Sequence, residues 1–107
     1  MSPEEELRAR ILGETSRIAW QELQKFFAAG NAVAVHPSLD LIEVAFHVSS
    51  DNTEQVEAWM KENQVGVVSD AQALEWLEAN ALMWAVVIKP WILVQPVMQD
   101  ADAKRSH

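Results

Sequence analysis

Apolar residues recur at helical spacing from Leu7 through Ile11, Ile18, Ala19 and Leu23 to Phe26 and Phe27. The stretch opens on Ser2, with Pro3 behind it and Glu5 three residues after the serine. A capping serine, a proline at the first helical position and a glutamate reaching back are an N-terminal signature. Glu4, Glu5 and Glu6 suit the positive end of the helix dipole. Gly30-Asn31 is a stop signal. The pattern predicts one long N-terminal helix. Its weak point is Gly13 to Ser16, where low propensity allows a kink or a split into two shorter helices.

Ala32 to His36 reads as a short strand, Pro37-Ser38-Leu39-Asp40 as a turn and Leu41 to Val48 as a second strand. The implied hairpin pairs His36 with Leu41 and Val35 with Ile42. Period-two alternation then places Val33, Val35, Ile42, Val44, Phe46 and Val48 on a core face. Ala32, Ala34, His36, Leu41, Glu43, Ala45 and His47 fall on a mixed face.

Asp51-x-x-Glu54 and Ser69-x-x-Gln72 have the form of capping boxes and predict helices near 53–62 and 70–80. Val65 to Val68, around Gly66, is an extended link between them. Met83 to Lys89 and Trp91 to Val97 are strand-like and apolar on both faces. Proline cannot donate to a ladder, so Pro90 and Pro96 imply an edge, a bulge or a bend. The expected fold is α+β. A three- or four-stranded, mainly antiparallel sheet is packed on one face by the long N-terminal helix and two shorter helices. Residues 1–98 make a single domain, as a chain of 107 residues suggests, and 99–107 read as a disordered polar tail.

Charge narrows the function classes. The formal net charge is −8, and the eight basic residues are scattered. Nucleic acid and anionic membrane both repel such a surface, so neither is an expected partner. The absence of cysteine excludes disulfides, thiolate catalysis and Cys-type metal sites. Ala81 to Met98 is the most apolar run, but Lys89, Pro90 and Pro96 interrupt it, and a bilayer span needs about 20 apolar residues. Met1 to Arg10 is polar and carries no secretory signal, so the cytoplasm is the expected location.

Candidate chemistry is sparse. His36, Asp40, Glu43 and His47 are the one concentration of ligand-type residues. In the predicted hairpin the two histidines lie about 20 Å apart, too far to share an ion. His36 and Glu43 are diagonal neighbours there, and two ligands make a weak site. Asp40 is better read as a turn cap, and Glu43 as a residue of the polar face. No serine lies in a Gly-x-Ser-x-Gly elbow, and three glycines leave no phosphate-cradling loop. No metal or cofactor is expected.

The five tryptophans are Trp20, Trp59, Trp76, Trp84 and Trp91. Large aromatics at regular spacing are mostly core. Trp84 and Trp91, however, flank Lys89-Pro90, where a bend leaves groups exposed, and tryptophan is enriched at binding hot spots.

Four strings of residues together resemble one family. They are Ile18 to Gly30 (IAWQELQKFFAAG), Pro37 to Ala45 (PSLDLIEVA), Val67-Val68-Ser69-Asp70, and Trp84 to Gln95 (WAVVIKPWILVQ). They are similar to a bacterial family known as a domain of unknown function, DUF2288, over about Leu7 to Gln95. The resemblance implies a stand-alone bacterial domain, and it carries no catalytic residues with it.

The expected function is a non-enzymatic interaction or regulatory module. Its candidate surface is His36, Asp40, Glu43, His47, Trp84, Lys89 and Trp91. A sheet apolar on both faces needs cover on both, so a second copy is expected to supply part of it in a homodimer. The alternative is a small-ligand or metal-binding protein, or an enzyme, using the His36/Asp40/Glu43 region with Lys89 nearby.

Overall fold

A computed structural model of the protein describes residues 2–97; the tail expected at 99–107 lies outside the described residues. The first helix, α1, is Pro3–Glu14, and the Ser2 side chain accepts from the Glu5 N–H at 3.2 Å, as the sequence predicts. It stops at Thr15, whose backbone is extended and whose hydroxyl donates to the Ile11 carbonyl at 2.7 Å. Strand β1, Ser16–Ala19, follows directly, then helix α2, Trp20–Ala28. The single long N-terminal helix is therefore two helices with a strand between them. Gly13, Thr15 and Ser16 weaken helical propagation, and β1 gains a ladder in exchange.

Strand β2 is Ala32–Val35. The expected second strand is instead helix α3, Leu41–Ser49, so no hairpin forms. Asp40 sits at its N-cap and accepts from the Ile42 N–H at 2.9 Å. The run fits a helix as well as a strand: Leu41, Val44, Ala45 and Val48 are spaced i, i+3, i+4, i+7, and the first three are buried. Leu41 and Ala45, assigned to the mixed face, are thus core.

Helix α4 is Thr53–Lys61, with Asn52 as its cap in place of Asp51. Asp51 is left-handed (φ 58°). The expected link is strand β3, Val65–Val67. Helix α5 is Asp70–Glu78 behind a complete Ser69/Gln72 capping box. Strands β4, Leu82–Ile88, and β5, Trp91–Pro96, form a hairpin around Lys89-Pro90, a cis peptide in a tight turn.

Among the described residues the sheet has five strands, not three or four, in the order β1-β4-β5-β2-β3. It is mixed: β2 runs parallel to β5, and the other pairs are antiparallel. Helices cover both faces, not one. On the first face Trp20 and Leu23 of α2 and Ala73 and Trp76 of α5 pack on Ala32, Met83, Ala85, Ile92 and Val94. On the second, Ile11 of α1 and Leu41, Val44, Ala45 and Phe46 of α3 pack on Val35, Val65, Val86 and Leu93. Strand alternation sends neighbouring residues of β4 and β5 to opposite cores. Trp20 is fully buried, donates its indole N–H to the Ala73 carbonyl at 3.0 Å, and meets Trp76 edge-on at 5.0 Å.

Candidate interaction surface

The residues singled out from the sequence do not assemble into one site. His36 follows β2, and its Nδ1 accepts the Ser38 N–H at 3.0 Å and lies 2.8 Å from the Ser38 hydroxyl. Asp40 is occupied as a helix cap. Glu43 points from α3 to α1 and accepts from Arg8 Nε at 2.6 Å and Arg8 Nη2 at 3.1 Å. That hydrogen bonding, ahead of nearby acidic charge, holds the Arg8 guanidinium above its already high ordinary pKa. Arg8 also lies over the Phe46 ring, 4.0 Å from its centre. His47, in the last turn of α3, meets the Phe46 and Trp59 rings edge-on and sits 3.0 Å from Asn52 Nδ2.

Lys89 does not converge with His36. It precedes β5, whereas His36 follows the parallel strand β2 and its carbonyl accepts from Gln95 at the far end of β5. About six residues of strand, roughly 20 Å, separate the two ends. Among the described residues, no three His, Asp or Glu side chains gather where they could hold a metal ion.

Trp91, beside the β4–β5 turn, and Trp84, near the other end of the hairpin opposite Gln95, are each 37% exposed. Trp84 is partly covered by Arg17, 5.5 Å from its ring centre. Trp91 stands at the mouth of an apolar groove of about 200 Å³ on the second face. The groove floor is Leu93, Val33 and Val67, which are ladder neighbours across β5, β2 and β3. Val48 of α3 and Val56 and Met60 of α4 form its wall. The floor runs out to β3, an outer strand of the sheet. Val67 is 57% exposed and Met60 51%.

Among the described residues, nothing pairs with the outer edge of β3. His36 donates to the Gln64 carbonyl and Val68 to the Ala32 carbonyl, which fixes the antiparallel phase. Gly66 therefore exchanges bonds with Ala34, while the N–H and C=O groups of Val65 and Val67 point away from β2. The same two residues send their side chains to the groove face. The opposite edge, β1, carries Arg17 as a guard; β3 reads Val-Gly-Val and carries none.

A shallow cleft of about 460 Å³ flanks β3 on the first face, lined in part by His36, Gln64, Gln72, Glu75 and Trp76. Of the sequence candidates, only Trp91 borders the groove. Val67 was missed because a three-residue apolar link gives too little periodicity to identify a strand. Met60 lies four residues after Val56 on α4, and nothing in that spacing marks it as exposed.

The fold and surface define a small α+β domain, helices on both faces of a mixed sheet, with an apolar groove beside a sheet edge, β3, that no described residue pairs. The chain belongs to the family described as a protein of unknown function, DUF2288, whose profile matches residues 6–96. It is similar to PA1075 from Pseudomonas aeruginosa, solved by NMR in solution, at 43% identity and a TM-score of 0.75. That likeness covers 83% of this chain and 82% of the other. No curated protein matches the chain. No helix among the described residues is long and apolar enough to cross a membrane.

Proposed function

We propose that the protein is a non-enzymatic interaction module that binds a partner at the free edge of β3 and the groove beside it. One observation carries this reading: an apolar floor crosses three strands and ends at an edge whose backbone groups are unpaired among the described residues. Natural edges are normally blunted by charge, proline or cover, and an edge left open is a template for another strand. Trp91 at the groove mouth supplies the kind of indole that anchors an interface.

A second copy of the chain is one candidate occupant. The sheet itself gives no need for one, because five helices of the same chain cover both faces. A photo-crosslinking residue placed at Met60 in the producing cells tests the module reading. A discrete adduct that Val67→Lys abolishes is the expected result. No adduct from a folded protein would end the proposal.

The cleft carrying His36, Gln72 and Glu75 supports a second reading, in which a small polar ligand binds there. A thermal-shift screen across metals, nucleotides and metabolites checks it. Ligand at about 100 times Kd stabilises by about 2.7 kcal/mol, enough to move the melting temperature visibly. A shift lost in His36→Ala would favour this reading over the first.

A further inference from the structure

Resting on the interaction reading, we infer that the partner of β3 is an extended segment in which apolar and basic residues alternate. A strand added to β3 must bond the outward groups of Val65 and Val67. Its residues opposite those two valines then share their face and continue the floor over the groove. These positions call for apolar side chains, because the groove is walled by Val48, Val56, Met60 and Trp91.

The residue between them, opposite Gly66, points to the other face. There the cleft flanking β3 is lined by Glu75, and Gly66 offers no side chain to block the approach. The depression that continues the groove along α4, sharing Val48, Val56 and Met60, is lined by Asp51 and Glu57. Among the described residues no Lys or Arg lines the groove or these two depressions; Arg10 and Lys89 line a third, which shares Val48 and Trp91 with the groove and also holds Asp51. Acidic groups on both sides of an apolar slot select a cationic strand with an apolar stripe.

Charge argues against a second copy as this partner. The chain holds sixteen acidic residues against eight basic ones, so a copy brings the same excess of negative charge. Its own β3, Val-Gly-Val, has no cation to set beside Glu75.

The probe is an acetylated, amidated heptapeptide alternating leucine and lysine, titrated into the ¹⁵N-labelled full chain. Expected are saturable shifts of the Val65, Gly66 and Val67 amides and of the Trp91 indole N–H. The same peptide with glutamate in place of lysine should bind about tenfold more weakly or worse, since the contact to Glu75 turns repulsive and the chain's net charge of −8 opposes an anionic strand. Val67→Lys and Met60→Lys, both at exposed positions, should each weaken binding by a similar factor with circular dichroism unchanged. Raising salt should weaken the leucine–lysine peptide.

Equal binding of the two peptides would overturn the basic requirement. So would binding by neither, or a doubled sedimentation mass with the Val65 and Val67 amides protected from exchange, which assigns the edge to a second copy. If the leucine–lysine peptide fails while the Val67-dependent Met60 adduct persists, the module reading stands and this inference falls. Loss of both removes both.

Discussion

Glu43 and Arg8 lie 35 positions apart in sequence and meet through two hydrogen bonds that tie α1 to α3. Both side chains are about a third exposed, so the ion pair is screened and contributes modestly. Glu43→Gln should cost about 0.5–1 kcal/mol in urea unfolding. Arg8→Ala should cost more than Glu43→Gln, because it also removes the guanidinium from the Phe46 face. If Arg8→Ala proved the milder change, the stacking would contribute nothing. Asp40 is a similar case of a carboxylate held in a structural task. Asp40→Ala should cost about 1 kcal/mol and Asp40→Asn only a small part of that, since Asn caps as well as Asp. Equal losses from the two would mean that the charge, not the capping oxygen, is what matters.

At the scale of elements, four helices end in the same way. α2 is followed by Gly30, α3 by Asp51, α4 by Asn63 and α5 by Asn80, all with positive φ. α1 lacks such a residue and passes straight into β1. Gly30→Ala, at φ 79°, should destabilise by about 1 kcal/mol by thermal unfolding. Gly13→Ala should do the opposite, gaining about 0.5–1 kcal/mol. Gly13 lies inside α1, and a Cβ there meets nothing within 4 Å. A loss at Gly13 would mean that the glycine serves the helix-to-strand exit.

The same elements decide how much was readable in advance. Caps were legible because they need particular side chains at fixed offsets; Ser2 and Ser69 both cap their helices, Ser69 with the full box and Ser2 with its own bond to the Glu5 N–H. Leu41 to Ser49 was not. Nine residues with alternating Ile, Val and Phe satisfy both periods, and the deciding fact, that the sheet is already filled by β5 and β3 on either side of β2, is a tertiary one. Ile18 and Ala19 fitted a helical stripe for the same reason and pair with Met83 and Leu82 instead. The groove was legible only at Trp91, since its floor joins residues from three strands far apart in sequence.

For the molecule as a whole, the two cores share one sheet. Met83 is fully buried in the core under α2 and α5, and Leu93 is fully buried in the core under α1 and α3. The strands that carry them pair with each other, and each strand feeds both cores through alternate residues. Melting one core would strip the cover from β4 and β5 and expose the backs of residues that hold the other. The two faces should therefore unfold together. Met83→Ala and Leu93→Ala should each cost about 2–5 kcal/mol, a large share of the roughly 5–15 kcal/mol available to a domain. In either variant, far-ultraviolet circular dichroism and tryptophan emission should give coincident urea transitions with an unchanged slope. Trp20 and Trp76 report one core and Trp59 the other, so emission samples both. An emission change preceding the loss of helix in Met83→Ala alone would show that the α2/α5 layer can detach, and that the sheet does not couple its faces.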